Sequence, residues 1–451
     1  MTAARPEAPP EETGMKRVLV LGAGLVAKPL VDYFAGRDGY DLTVADIAVE
    51  KARALVAGRP NSAAVALDAG RAGSADQLVE AHDVAVSLLP APMHPTIAAL
   101  CLKHKKHMTT ASYVSPAMRE MHSEAAAAGL TFVNECGVDP GLDHMSAMRI
   151  IDAAKKGGGE VVSFRSYCGG LPAPEANTNP IGYKFSWAPR GVLVAATNAA
   201  RFLRDGATVE VPGTELFADP EIVEIPGAGI FEGYPNRDSL PYAEMYGLDT
   251  VRNMFRGTLR NLGHCASWSH WVKLGLFDPS PRSDLAGLTY KRFMQGFVGG
   301  AGNLQRALSS KLGVPEDSPA ISNLEWLGLF HESQVSIPEG GNVDILASRM
   351  AEKCAFQPGE RDLLVMQHEF TVRYPKREEK IVSSLVDFGV PNGDTAMART
   401  VSLPLAIATR MVVEGAIAQK GVVAPVVPEI YEPILEELAQ GFGIAFQERT
   451  L

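Results

Sequence analysis

What this sequence lacks narrows its reading first. Its 451 residues include only five cysteines: Cys101, Cys136, Cys168, Cys265 and Cys354. No two of them form a Cys-x-x-Cys pair, and their odd number and wide spacing suit free thiols of a reducing compartment better than a disulfide framework. No zinc pattern is visible, and no metal site is expected. Excess positive charge is missing as well: 42 Lys and Arg stand against 52 Asp and Glu, a formal net charge of −10. That balance argues against a general nucleic-acid or membrane-surface binder, since both need a basic face. No uninterrupted apolar run approaches the roughly 20 residues of a membrane-spanning helix. The opening "MTAARPEAPPEETG" has no apolar stretch of the secretory kind, so a disordered extension is expected over 1–14, and a cytoplasmic protein with it. The length exceeds what one core usually serves and predicts two or three domains.

What is present starts at Arg17. In "RVLVLGAGLVAKPLVDYFAG" a short apolar run reads as a buried strand, a glycine-rich turn follows, and a helical period takes over. Gly22, Gly24 and Ala27 fill the positions of G-x-G-x-x-G/A, which allow a tight turn, close approach of backbone to a pyrophosphate, and close helix packing. The helix N-terminus then offers free N–H groups and the positive end of its dipole. A second strand, "LTVAD", ends at Asp46, where a carboxylate can accept hydrogen bonds from an adenosine ribose. Further strands are predicted at "AAVALD" (63–68), "DVAVSLLP" (83–90), "HMTTAS" (107–112) and "LTFVNE" (130–135), alternating with helical stretches. The fold class is therefore α/β, with a doubly wound parallel sheet. A carboxylate at Asp46 would repel a 2′-phosphate, so NAD is expected in preference to NADP. The other reading of Asp46 is a cap for the helix that begins near Val49.

Downstream, unusual motifs follow in one order: "SYVSPAM" (112–118), "GVDPGLDHM" (137–145), "SYCGGLPAPEANTNPIGYKFSW" (166–187), "YPNRDS" (234–239), "FRGTLR" (255–260), "ERDLLVMQH" (360–368) and "SSLVDFG" (383–389). Together they resemble the L-glutamate-forming saccharopine dehydrogenase (saccharopine reductase) family of lysine metabolism, over residues 16 to 450. The resemblance implies a variant Rossmann domain, a mixed α/β substrate domain and a mainly helical insert. The expected boundaries are 15–137, then 138–261 with 351–390, an insert at 262–350, and a return to the nucleotide domain over 391–451. A homodimer is expected on the same ground. Within the insert, "SHWVKLGLF" and "YKRFMQGFVGGAGNLQRAL" read as helical. "RDLLVMQHEFTVRYP" and "EKIVSSLVDFG" read as strands.

The family reaction interconverts saccharopine with glutamate and aminoadipate semialdehyde by hydride transfer to a nicotinamide, which leaves an imine that water opens. Such a protein must hold three carboxylates and move protons. The resemblance carries substrate binding to Ser112, Tyr113, Asp139, Lys184, Arg237, Thr258, Leu259 and Arg260. It carries cofactor binding to Gly22, Gly24, Leu25, Val26, Ala27, Asp46, Leu89, Val138, Asp139 and Pro140. Arginines suit carboxylates because their fork donates two parallel hydrogen bonds. For proton transfer Asp139 is the first choice, as a carboxylate that desolvation could raise toward neutral pH. Tyr113 and Cys168 are alternatives, although Tyr113 also reads as a core aromatic and Cys168 as an inert buried thiol. His144 in "LDHM" reads mainly as a packing or capping residue, and Arg361 in "GERD" reads equally as half of a local ion pair.

Two rival readings remain at this point. A carboxynorspermidine synthase-like imine reductase would want acidic residues for a polycationic substrate, which the arginine motifs oppose. A non-catalytic NAD(H) sensor would keep the nucleotide fold and use its second domain for a partner. Absorbance at 340 nm with saccharopine separates it from an enzyme.

Overall fold

Strand β1 (Lys16–Leu21) ends in four buried residues, Val18 to Leu21, because it runs through the middle of a sheet covered on both faces. The chain here is a computed structural model that describes residues 14–300 and 302–451, so the extension expected over 1–14 lies almost wholly outside the described residues. Beside β1 run β2 (Tyr40–Asp46), β3 (Ser62–Ala66), β4 (Val84–Ser87), β5 (His107–Thr109) and β6 (Thr131–Val133). With the late strand Gly421–Val423 they form a seven-stranded parallel sheet in the order 421–423, β6, β5, β4, β1, β2, β3. Leu19, Leu21, Val79, Ile97, Met108 and Phe132 make its core, each worth roughly 1.5–3 kcal/mol when fully buried. This unit comprises Met1–Gly137 and Leu405–Ala424.

The second unit comprises Val138–Pro404 and Pro425–Leu451. Its strands are β7 (Glu160–Pro172), β8 (Ala200–Arg204), β9 (Ala207–Val211), β10 (Glu221–Ile225), β11 (Gly229–Pro235), β12 (Asn253–Asn261), β13 (Asp362–Tyr374) and β14 (Arg377–Phe388). The sheet runs β10-β11-β12-β7-β13-β14 and closes on Gln447–Thr450, with β8 and β9 attached beside β12. Only β12 and β7 pair in parallel; the other pairs are antiparallel.

Three expectations change here. The helices of 262–350, among them His264–Leu274, Leu304–Leu312 and Asn342–Lys353, share one apolar core with the sheet, running from Tyr167 and Leu259 through Trp268, Phe293 and Leu346 to Val365. The expected separate insert is thus part of the second unit. The return to the nucleotide unit is short: only 405–424 takes part, whereas 391–451 was expected. Residues beyond it go back because Gln447–Thr450 pairs with the edge of β14 and Tyr431 donates to Asp152 at 2.6 Å. The third concerns "CGGLP", the front of the stretch 168–187 whose glycines and prolines read in the sequence as an irregular loop; it ends the 13-residue strand β7. A Cβ at Gly169 would stand 2.8 Å from Leu259 Cβ, and one at Gly170 would run into Met397 Cε. These glycines admit close neighbours rather than a turn.

Candidate functional site

The glycine turn sits at the carboxyl end of β1. Gly22 has φ +106°, and a Cβ there would lie 3.0 Å from the Leu88 carbonyl oxygen, so no other residue fits. Around Gly24 nothing lies within 4 Å of an added Cβ, and Leu25 beside it is exposed. The helix Ala27–Ala35 starts here with no side-chain cap. An open glycine and an uncapped helix start fit a dinucleotide pyrophosphate. Val26 is half-buried and Ala27 buried, while Leu89 packs on the edge of the sheet core. Asp46 behaves differently from expectation. Its Oδ2 accepts from the Ala23 N–H at 2.7 Å and its Oδ1 from the Ala48 N–H at 2.7 Å, so the carboxylate ties its own loop together.

Ser112 stands just beyond β5, half-buried, with Tyr113 beside it also half-buried. The backbone is pinned by the Glu135 N–H donating to the Ser112 carbonyl at 3.0 Å and the Val114 N–H donating to Glu135 at 2.9 Å. The Ser112 hydroxyl bonds to His94 Nε2 at 2.7 Å, and His94 Nδ1 bonds to Ser87 at 2.8 Å. Burial lowers the His94 imidazole to about 4, so it is neutral at ordinary pH. Sequence reasoning passed over His94 and Ser87.

In the second unit, Arg256 of β12 bonds through Nη2 to both Asp139 and Asp143, the latter at 2.7 Å. Burial alone would raise the Asp143 carboxyl; His144, the Arg256 charge and the Gly141 N–H overcome it and hold it below its ordinary value. Asp139 is therefore one carboxylate of an ion-paired cluster and not the lone desolvated carboxylate that was expected. Val138 and Pro140 are buried on either side of it. Cys168 is pushed well above 9 by burial, with Asp139 and Asp143 adding to the rise. It is a neutral thiol, and the expected role as a base does not fit. His144 is fully buried, stacked on Tyr242 and bonded to Tyr246 Oη at 2.6 Å, so it packs.

Four residues after Arg256, on the same face of β12, comes Arg260, 6% exposed. Its Nη1 donates to the Leu259 carbonyl at 2.8 Å, its Nε has no partner, and among the described residues no carboxylate pairs with it. Its guanidinium carbon lies 4.9 Å from the Tyr183 ring centroid. His264, stacked on Trp268 at 4.2 Å, has no partner on either ring nitrogen, and Trp268 Nε1 has none. Burial, and then the Arg260 charge, hold that imidazole well below 6.5. Glu232, directly across from Arg260 on β11, accepts instead from the N–H groups of Gly263 and Cys265, each at 2.8 Å. Thr258 pairs in register with Cys168 and Tyr234, and Leu259 is buried against Gly169. Arg237 follows Asn236, whose N–H donates to the Arg256 carbonyl at 2.8 Å, and takes φ 56°, a conformation that costs a non-glycine residue about 1 kcal/mol or more. Lys184 does not keep a free charge: both oxygens of Glu360 take its Nζ at 2.6 and 2.7 Å. Arg361 pairs with Glu175 at 2.7 Å.

Two family models match: the saccharopine dehydrogenase NADP binding domain over residues 18–133 and the saccharopine dehydrogenase C-terminal domain over 137–444. A saccharopine dehydrogenase [NADP(+), L-glutamate-forming] of Pyricularia oryzae is 38% identical over 448 residues, covering 97% of this chain and 99% of that protein. The mitochondrial alpha-aminoadipic semialdehyde synthase of Bos taurus is 41% identical over 94% of this chain, which spans 46% of that longer protein. The solved apo saccharopine dehydrogenase (L-Glu forming) of Saccharomyces cerevisiae superposes with a TM-score of 0.88 at 36% identity, over 97% of this chain and all of that one. The NADP in these names overturns the expectation of NAD. Asp46 differs from its expected role in one respect: one lone pair on each of its oxygens is turned to its own loop, at the N–H groups of Ala23 and Ala48.

Proposed function

We propose, on the premise that this chain belongs to the saccharopine dehydrogenase family, that it interconverts L-saccharopine with L-glutamate and L-2-aminoadipate 6-semialdehyde in lysine metabolism, using NADP. The observation that carries this reading is Arg260: a buried guanidinium with no carboxylate of its own. An unpaired buried charge costs several kcal/mol, and a ligand carboxylate would supply what is missing. Saccharopine has three.

The bound nicotinamide would accept hydride from the lysine ε-carbon, leaving a C=N bond that water opens. The protein's own contributions are positional and electrostatic. Arg260 takes one carboxylate against the aromatic wall of Tyr183, and Arg237, held in its strained backbone by the Arg201 N–H at 2.9 Å, takes a second. Ser112 and Tyr113 offer hydroxyls to the substrate. Of the two carboxylates on Arg256, Asp143 is sealed at 2% side-chain exposure while Asp139 keeps 15%, so Asp139 is the one able to exchange a proton with substrate or water. Cys168 stays protonated and shapes the wall. The test is a purified-protein assay at 340 nm with L-saccharopine and NADP, the released amino acid being identified by chromatography. Glutamate is expected; lysine would place the cleaved bond on the wrong side of the nitrogen, and no turnover would reject the reading.

A further inference from the structure

Among the described residues the Ser112 hydroxyl makes one hydrogen bond, to His94 Nε2, and the far side of that imidazole bonds only to Ser87. The direction of this chain decides what Ser112 can recognise. If Nε2 carries the ring proton, it donates to Ser112 and leaves the hydroxyl proton to point outward, at an anion. If Nδ1 carries it, Ser112 donates inward and presents lone pairs, which suit an amine.

Thr110 breaks the tie. Its single hydroxyl proton goes to the Ser87 carbonyl at 2.8 Å, so the same oxygen can act only as an acceptor elsewhere. It does accept from the Ser112 backbone N–H at 3.3 Å, and it stands 3.5 Å from His94 Nε2. Nε2 thus faces an oxygen that has no proton to give. A protonated Nε2 is attracted to it; a bare lone pair is repelled. Ser87, with no other acceptor for its hydroxyl proton among the described residues, donates to Nδ1 and completes the sequence Ser87 to His94 to Ser112. The three residues come from the end of β4, the first turn of the helix His94–His104, and the loop after β5. All of them lie at the carboxyl edge of the parallel sheet, where open α/β sheets bind ligands. The imidazole is fully buried and neutral, which keeps a competing charge away from the hydroxyl.

We infer that Ser87, His94 and Ser112 form a directed hydrogen-bond chain in which His94, as a positioning residue, fixes the Ser112 hydroxyl as a donor to a carboxylate of the substrate. The inference rests on the reading that Ser112 meets saccharopine. Histidine-selective nitrogen-15 NMR of the full chain should show the Nε2–H tautomer for His94, identified by loss of its signals in His94→Gln; an Nδ1–H tautomer overturns the inference whether or not saccharopine is a substrate. In steady-state kinetics, Ser112→Ala should raise the KM for saccharopine about tenfold, with kcat nearly unchanged and NADPH affinity by fluorescence titration within twofold. Ser87→Ala, a small change that spares the fold, should raise KM about threefold, and His94→Gln should raise it less than His94→Leu because its amide can still donate. Added to Ser112→Ala, neither Ser87→Ala nor His94→Leu should raise KM further. Additive effects, or a parallel loss of NADPH affinity, would show that these residues only support the fold and would overturn the inference. A wild type that turns over no saccharopine would sink the functional reading instead and leave the tautomer measurement standing.

Discussion

Arg256 and Arg260 stand four residues apart on one face of β12, both almost completely buried, and the protein treats them in opposite ways. Arg256 receives Asp139 and Asp143 and has its carbon 4.1 Å over the Tyr242 ring. Arg260 receives a backbone carbonyl and an aromatic face, with Nε unbonded. A charge sealed with its partners acts as structure, whereas one sealed without them is a receptor waiting for an anion. The arginine that looks better bonded is therefore the weaker candidate for substrate.

The comparison can be broken first at Arg256. Arg256→Met strands two carboxylates in a buried place and should cost about 3–5 kcal/mol of stability, read as a lower thermal unfolding midpoint. Next comes Arg260→Met, which should leave that midpoint unchanged or raise it, because an unpaired charge is removed. It should lower kcat/KM for saccharopine by about 2–4 kcal/mol, roughly thirty- to a thousandfold, with NADPH titration unchanged. A matching loss of stability in Arg260→Met would erase the distinction.

A buried acid sharpens the point from the other sign. Among the described residues Asp387 has only Arg399 as a cationic partner, at 3.4 Å, and burial lifts its carboxyl from 3.8 to about 6. The folded state then binds the proton more tightly than the unfolded chain, so this group's stabilisation is present below about pH 4 and is lost as pH rises through about 6. Asp387→Asn should remove that slope and gain about 1–2 kcal/mol over wild type at pH 7.5 relative to pH 4.5, measured by denaturant unfolding at both pH values. The smallest effect is expected at Asp46→Ala. Losing its two bonds to Ala23 and Ala48 should loosen the glycine turn by about 1 kcal/mol and weaken NADPH and NADH alike. Weakening of NADH alone would return the carboxylate to the ribose.

Much of the first unit was legible because period-2 and helical patterns are local. "LTVAD" became β2 and "HMTTAS" began with β5, and Gly22 could be placed because only glycine tolerates its backbone and the Leu88 carbonyl beside it. The paired long strands β13 and β14 were legible for the same reason. What failed depended on partners far along the chain. Lys184 looked free until Glu360 arrived from 176 residues away, and Cys168 looked reactive until the fold buried it, with Asp139 and Asp143 adding to the rise. Arg256 sat unremarked inside "FRGTLR", though strand alternation alone sets it on the face of Arg260. His94 gave no spacing signal, since its partners Ser87 and Ser112 come from different strand ends. Gly169 and Gly170 suggested an irregular loop because nothing local shows that Leu259 and Met397 approach them.

Glu232 shows how the open charge at Arg260 is kept open. It lies directly across from Arg260 in strand register, at a separation where such pairs normally join. The start of the helix His264–Leu274 holds both its oxygens instead, at the amides of Gly263 and Cys265. That helix is in effect a custodian of the receptor: if its first turn unwound, the glutamate would be released beside an arginine that has no carboxylate partner, and the protein would inhibit itself with its own side chain. Order in the helical segment is in this way a condition for recognising an external acid, although no residue of the helix needs to touch it.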